Sequence, residues 1–379
     1  MAAMCNQMSF FIQCSSNKSS QEPNKQKHHS VKIKGTKSSN MEILSQDHDI
    51  TFHSVNPAAE NLHFLNEHIR QNIPKNKQSF DPYRLGMFIN EGLEYRQSVV
   101  IRSHEVGPDK TMTLESILNL LQETALNHVW LSGLMRQYGT TLGMIQNNLI
   151  WVVSKMQVQI DHYPIWGEVI EIDTWVGSSG KHGMRRDWLL RSRATSLVLA
   201  RGTSTWAMMN KHTRRLSKMP DDVRAEISPW FIEKQAIEES SNEIEKVDSN
   251  NASYVNSDLK AKRSDLDMNH HVNNVKYVKW MLETIPDDFL ENHRLSDISL
   301  EYRRECGRSD VLQSLCKLQE NGIPQTETQK HFHIALNGNQ GLPFSYHHLL
   351  RIKGDPKNGE IVRGKTTWKN KLTSLSFGH

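Results

Sequence analysis

Asp267-Met268-Asn269-His270-His271-Val272-Asn273-Asn274-Val275-Lys276-Tyr277-Val278-Lys279-Trp280-Met281-Leu282 packs a carboxylate, an amide and two imidazoles into five residues and then turns apolar. Val275, Val278 and Leu282 fall at i, i+3 and i+7, with Trp280 and Met281 beside them, so the spacing predicts a helix with one face against a core. Polar groups just ahead of such a stripe lie at a helix N-terminus, where open backbone N–H groups and the dipole favour developing negative charge. Asp267, Asn269 and His271 alternate, so an extended run-in would project all three to one side. That would gather an acid or base, an amide hydrogen-bonder and an imidazole beside an oxyanion-ready helix end. The plainer reading is an Asp/Asn N-cap with incidental histidines.

Working outward, the pattern repeats. Arg102-Ser103 leads into a helical stripe over 114–129, with Leu114, Ile117, Leu118, Leu121 and Ala125 on one face, just as Arg263-Ser264 leads into the stretch above. Near the end of each half stands a matching strand, Arg201-Gly202-Thr203-Ser204-Thr205-Trp206 and Arg363-Gly364-Lys365-Thr366-Thr367-Trp368. The offsets, 161 from Arg102 to Arg263 and 162 from Arg201 to Arg363, agree across two separated landmarks and imply a tandem duplication. Strands are predicted over 99–106, 149–160, 168–176, 184–191 and 198–210. Each copy reads as strand, long helix, then several antiparallel strands, an α+β plan in which one helix lies on a curved sheet. Moving Asp267 to His271 back by 161 lands on Val106-Gly107-Pro108-Asp109-Lys110, which lacks the Asp/Asn/His set. One active site, in the second half, is the economical conclusion.

Composition narrows the class. The chain has 379 residues, 37% apolar and 23% charged, with room for two or three domains of a globular protein. Six lysines and one acid, Glu22, lie in residues 1–40, and they account for the net +4; the remainder is near neutral, so the basic total says nothing about nucleic acid. No run reaches the roughly 18 apolar residues that would read as a membrane span. Cys5, Cys14, Cys306 and Cys316 are too few for a disulfide scaffold and lack metal-type pairing. Residues 1–40, rich in Ser, Lys, Asn and Gln and poor in acid, fit an organelle transit peptide. Residues 41–90 read as an irregular arm and 233–257 as an acidic linker.

These motifs are familiar together. Leu121-Gln122-Glu123-Thr124-Ala125-Leu126-Asn127-His128, Gly183-Met184-Arg185-Arg186-Asp187-Trp188, Met208-Met209-Asn210, Thr213-Arg214-Arg215-Leu216, His271-Val272-Asn273-Asn274 and Glu301-Tyr302-Arg303-Arg304-Glu305-Cys306-Gly307-Arg308 resemble the plant acyl-ACP thioesterases, over about three quarters of the chain. The forms Gly-Met-Arg-Arg-Asp-Trp and Glu-Cys-Gly-Arg resemble the FatB type, which favours saturated chains. The resemblance implies a tandem hotdog fold, with 91–232 an N-terminal hotdog holding the acyl tunnel and 258–379 a catalytic C-terminal hotdog. It implies the plastid stroma, acyl carrier protein as the partner that brings the substrate, and no metal or organic cofactor. It leaves open a homodimer.

By the same resemblance Asp267, Asn269, His271 and Glu305 match the catalytic positions. In one scheme Glu305 with His271 activates water while Asn269 and helix N–H groups hold the oxyanion, and Asp267 orients the set or itself attacks. In the other, Cys306 is the alternative nucleophile with His271 as base. Adjacent strand residues face opposite sides, so Glu305 and Cys306 should not both reach His271, and Glu305 is favoured. Lys181, Arg185, Arg186, Arg214, Arg215, Lys218, Arg303, Arg304 and Arg308 could greet an acidic carrier protein, although strand arginines often make internal ion pairs. His331/His333 and His347/His348 lack the acid or thiol company of a metal site. Lys279 stands where the family usually has glycine, and 130–144 look altered. The rival functions are an acyl-CoA thioesterase and a catalytically weak acyl-ACP-binding paralogue.

Overall fold

In the computed structural model, residues 80–371 are described, apart from 83, 137–138, 239–243, 268–271, 320–342 and 356–358. The transit-peptide reading of 1–40 and nearly all of the arm therefore lie outside the described residues. Five α-helices are seen among the described residues: α1 (Leu114–Leu131), α2 (Leu142–Gln146), α3 (Asp221–Ile227), α4 (Asn274–Leu282) and α5 (Asp287–Asn292). Thr113 caps α1 by accepting from Ser116 N at 3.1 Å, and Ile117, Leu118 and Leu121 are buried as the stripe predicts. Asn273 caps α4 by accepting from Val275 N at 3.0 Å. Tyr277 and Trp280 join Val275, Val278 and Met281 in the core, whereas Leu282 is only half-buried.

The strands are β1 (Gly86–Ile89), β2 (Glu94–Val100), β3 (Leu149–Ile160), β4 (Val169–Ser179), β5 (Gly183–Ser192), β6 (Val198–Asn210), β7 (Leu216–Ser217), β8 (Tyr254–Lys260), β9 (His293–Tyr302), β10 (Val311–Leu318), β11 (Phe344–Ile352) and β12 (Glu360–Asn370). They form one antiparallel sheet in the order β1-β2-β4-β5-β6-β3-β9-β12-β11-β10-β8, with β7 paired to β6. Read from the β3–β9 seam outward, β3-β6-β5-β4-β2 mirrors β9-β12-β11-β10-β8. This two-sided order is the duplication written in hydrogen bonds. The apolar core is continuous across the seam, joining Leu118 and Leu121 to Val278 and Met281.

The structural offset at the helix starts is 160 rather than 161. Arg102 N donates to Glu105 and Lys262 N to Asp265, each at 2.7 Å. Thr113 N bonds Glu105 O and Asn273 N bonds Asp265 O, each at 2.9 Å. Val106 bridges Met112, and Leu266 bridges Val272. Asp267, Asn269 and His271 thus correspond to Gly107, Asp109 and Thr111, and the first copy still lacks the set. Leu266 and Val272 form an antiparallel bridge, and the expected extended run-in between them lies, apart from Asp267, outside the described residues.

Other boundaries move for local reasons. The first strand covers 94–100 rather than 99–106, because Glu105 turns the chain back onto Arg102 N and breaks the ladder after Val100. β1 lies inside the expected irregular arm, held by β2 and by the buried Phe88. The acidic linker is packed at both ends: Ile237 and Val247 are buried, Trp175 Nε1 donates to Lys234 O at 2.7 Å, and β8 begins at Tyr254. Its described glutamates Glu233, Glu238 and Glu245 are exposed while Ile237 and Val247 anchor it.

Candidate active site

Glu305 and Cys306 lie on irregular chain between β9 and β10, not on a strand, so alternation does not separate them. Burial does. Cys306 is 2% exposed, its N–H donates to the Tyr277 hydroxyl at 3.2 Å, and burial pushes its thiol up to about 11. A thiol so placed is almost wholly protonated at neutral pH and is a poor nucleophile. Glu305 keeps about a quarter of its side chain exposed and accepts from the Arg214 guanidinium. The Tyr277–Cys306 bond ties this loop to α4, which begins directly after the Asp267–Asn273 stretch. Burial, followed by the charges of Cys306 and Glu305, raises the Tyr277 phenol, which therefore stays neutral.

Asp267 is half-buried. Asn269, His270 and His271 lie outside the described residues. At the start of α4, Asn273 takes the N–H groups of Val275, through Oδ1, and of Lys276, through its carbonyl. The Asn274 N–H is the first-turn donor that no described residue engages. The helix end therefore offers fewer open donors than a bare N-terminus.

Arg214 was not among the catalytic candidates. It sits on the β6–β7 turn with φ +56, where Asn210 Oδ1 accepts from His212 N at 3.0 Å and Thr213 N at 2.9 Å. The Met208-Met209-Asn210 and Thr213-Arg214-Arg215-Leu216 motifs build this turn, and its product is a guanidinium carried from the first half onto a carboxylate of the second. The other proposed docking arginines are largely spoken for: Arg185 pairs with Asp187 at 2.7 Å, Arg303 with Glu301 at 2.7 Å and Arg304 with Asp355 at 3.7 Å, while Arg186 is buried.

A cleft of about 750 Å³, counted with its open mouth, runs beside α1. Its walls include Leu121, Ala125, Leu126 and Val129 of α1 with Val153 and Met156 of β3, and Asn274 at the start of α4 borders it as well. The corresponding place in the second half is filled by described side chains. Register pairs Gly202 with Trp188 and Gly364 with His348, which makes Arg186 and Tyr346 counterparts. Tyr346 is buried edge-on to Phe289 at 5.1 Å, and Met281 lies hard against Gly364. Aromatic filling closes in one copy what stays open in the other.

The remaining histidines hold structural bonds. His347 Nδ1 accepts from Glu245 N at 3.1 Å, and His348 Nε2 bonds Thr366 Oγ1 at 2.9 Å. His331 and His333 lie outside the described residues. Lys279 points to solvent beside Glu283, 3.5 Å away, and does not crowd α4. No helix among the described residues is long and apolar enough to cross a membrane.

Two helix-on-sheet copies, one bordering an apolar cleft and one bearing the Asp267 and Glu305 carboxylates, are the layout of a tandem hotdog protein. Family models described as the acyl-ACP thioesterase N-terminal and C-terminal domains match residues 92–227 and 248–370. The chain is 46% identical over 300 residues to an Arabidopsis thaliana palmitoyl-acyl carrier protein thioesterase, covering 79% of this chain and 69% of that one. It is 43% identical to an Arabidopsis oleoyl-acyl carrier protein thioesterase, covering 78% and 81%. The solved 12:0-ACP thioesterase of Umbellularia californica superposes with a TM-score of 0.66 at 38% identity, covering 78% of this chain and 98% of that structure. The chain belongs to the acyl-ACP thioesterase family.

Proposed function

We propose that this chain hydrolyses the thioester of saturated acyl-ACP in the plastid stroma, releasing free fatty acid and ending chain elongation. The observation that carries the reading is the meeting of cleft and catalytic loop: Asn274 borders the apolar cleft and opens the helix that follows Asp267–Asn273. An acyl chain in the cleft brings its thioester carbonyl to that end. Names of the similar proteins, all chloroplastic thioesterases or hydrolases of acyl carrier protein substrates, support the plastid and the carrier.

Glu305 and His271 take the proton of a water that attacks the carbonyl carbon. Asn269, with the Asn274 N–H, receives the oxyanion, and collapse of the tetrahedral intermediate expels the carrier's thiol as the proton returns to sulfur. Asp267 orients the group. The 91–232 half supplies the tunnel and the 258–379 half the chemistry. The protonated Cys306 argues against the thiol scheme.

The test is hydrolysis by the purified full chain of acyl-ACPs of graded length, oleoyl-ACP among them, beside the matching acyl-CoAs and beside Glu305→Ala. Release from carrier protein that is abolished in Glu305→Ala supports the reading. Preference for CoA, or binding of acyl-ACP without release, replaces it with one of the two rivals.

A further inference from the structure

The two copies share a frame, yet they differ in polarity where α4 meets the cleft. Thr113 and Asn273 cap their helices in the same way, which makes Leu114 and Asn274 counterparts. Register pairs Ile160 with Ala200 and Tyr302 with Val362, and Ala200 and Val362 each precede the matching glycine, Gly202 or Gly364, by two residues. Ile160 and Tyr302 are therefore counterparts as well. In the first copy both places are apolar: Leu114 is 7% and Ile160 is 3% exposed, within the core. In the second copy both are polar.

The Tyr302 hydroxyl is buried and bonds nothing among the described residues. Burial raises its phenol, and the Asn274 side chain is the one group that offsets the rise, so the two are neighbours. The phenol stays neutral and keeps an O–H to donate. Tyr302 ends β9, directly ahead of the loop that carries Glu305. Asn274 borders the apolar cleft, and it alone among the described lining residues comes from the second half. A buried hydroxyl without a partner costs free energy that the Ile160 side chain does not, so packing gives no reason for it. Beside a carboxamide it has a use: an O–H donated to Oδ1 fixes which way the amide turns and leaves Nδ2 for the cleft. Such bonds are often long in a free enzyme and tighten when substrate arrives.

We propose that the Asn274 side chain is a further catalytic residue, donating Nδ2–H to the thioester oxygen as negative charge builds there, and that Tyr302 is its positioning residue, donating O–H to Asn274 Oδ1. The proposal rests on the thioester hydrolysis proposed above. No proton changes hands at either group. Both only donate hydrogen bonds, which weaken again as the tetrahedral intermediate collapses and the oxygen returns to a carbonyl.

The test is steady-state hydrolysis of acyl-ACP by the purified full chain, by Tyr302→Phe, Asn274→Leu and Asn274→Asp, and by the Tyr302→Phe/Asn274→Leu double variant, with urea unfolding of each. Loss of one aligned hydrogen bond predicts a kcat about tenfold lower in Tyr302→Phe, with KM unchanged. Its urea midpoint stays at or above that of the parent, because the hydroxyl removed is unsatisfied in the free chain; a merely structural hydroxyl would lower stability instead. Asn274→Leu, which installs the residue of the first copy, loses about 10²-fold in kcat, the usual worth of an oxyanion donor. Asn274→Asp suits a first helical turn and keeps an acceptor for Tyr302, so it carries the test if Asn274→Leu does not fold; it offers no donor and falls as far. The double variant is no slower than Asn274→Leu, since Tyr302 acts through Asn274. Parent-like kcat in Tyr302→Phe, or losses that multiply in the double variant, overturns the proposal and leaves the enzymatic reading standing. No release of acid by the parent removes both.

Discussion

Arg214, on the β6–β7 turn of the first half, donates to Glu305 Oε1 on the loop after β9 of the second half. This contact joins the candidate base to the half that contains the apolar cleft, across 91 residues of sequence. Both side chains are a quarter to a third exposed, so as a stabilising ion pair the contact is worth about 0–1 kcal/mol. Its consequence is positional: it fixes which carboxylate oxygen is occupied and which is free to take a proton from water. Arg214→Gln is expected to lower kcat about tenfold with little change in KM, while urea unfolding shifts by about 1 kcal/mol or less. Parent-like kcat would reduce the pair to an ordinary surface contact.

Cys306 and Glu305, neighbours in sequence, should behave oppositely on substitution. With its thiol at about 11, Cys306 is about 0.01% thiolate at pH 7, so Cys306→Ala is expected to keep activity within about threefold. Glu305→Ala is expected to lose about 10²–10⁴-fold, the usual worth of a general base. The same shift predicts that alkylation of Cys306 by iodoacetamide accelerates about tenfold per pH unit between 8 and 10. Rapid alkylation at pH 7 with parallel loss of activity would restore the thiol scheme.

Much of the architecture was legible because it is periodic. The strands at 149–160 and 198–210 and the start of α1 follow from alternation and from the apolar stripe, and duplication was visible in the repeated Arg-Gly strand. What was hidden depends on partners far along the chain. Glu105 breaking the first strand is a local hydrogen bond that hydrophobicity does not record. Arg214 read as one basic residue among nine because nothing nearby in sequence distinguishes a guanidinium that meets Glu305 from one that meets water. The cleft was known only through the family resemblance, since empty space arises from single choices, Arg186 here and Tyr346 there, against an otherwise shared frame. Of the proposed catalytic residues, Asp267 lies just ahead of α4 and Glu305 on the loop that Tyr277 ties to α4, whereas Asn269 and His271 rest on the sequence motif.

Ala125 lies on the cleft wall, one helical turn from Leu121. Ala125→Leu adds three carbons into space that an acyl chain would occupy, and the half-buried position lets the helix tolerate the change. Acyl-ACP chain-length profiles of the parent and variant check this, with the optimum expected to move to shorter chains. An unchanged profile with intact kcat would mean that the chain lies elsewhere.

Gly202 and Gly364 occupy matching places under α1 and α4, and their substitution should separate the two halves. A Cβ on Gly202 would meet Leu121 Cδ1 at 3.1 Å and Trp188 Cε3 at 3.4 Å, both on residues that line the cleft. A Cβ on Gly364 would collide with the Met281 methyl and meet Leu300 Cδ2 at 3.2 Å, in the filled half. Overpacking of this kind costs about 1–3 kcal/mol. Leu121 can yield toward open space, so Gly202→Ala is expected to destabilise less than Gly364→Ala in urea unfolding while altering chain-length preference. The reverse order of stability would mean that the cleft gives α1 no freedom.

His348 gives the fold a dependence on acid. It is fully buried, its Nε2 bonds Thr366 Oγ1, its Nδ1 has no partner among the described residues, and burial lowers its pKa from 6.5 to about 3. Between those values the unfolded chain binds a proton that the native chain refuses, so stability must fall as pH drops below about 6.5 and continue to fall toward 3. The slope from this group alone is about 1.4 kcal/mol per pH unit, and the depressed His128 adds to it in the same direction. Thr366 also accepts from Trp368 Nε1 at 2.9 Å, so His348→Leu does not strand the hydroxyl. That substitution is expected to leave stability at pH 7.5 within about 2 kcal/mol and to flatten the decline between pH 6.5 and 4.5 by roughly the slope of one proton. Urea midpoints measured across this range decide it: a variant as acid-sensitive as the parent would place the titrating group elsewhere, in carboxylates such as the Arg102-bonded Glu105, whose lowered pKa likewise withdraws stability as acid is added, but only as pH falls through the carboxylate range.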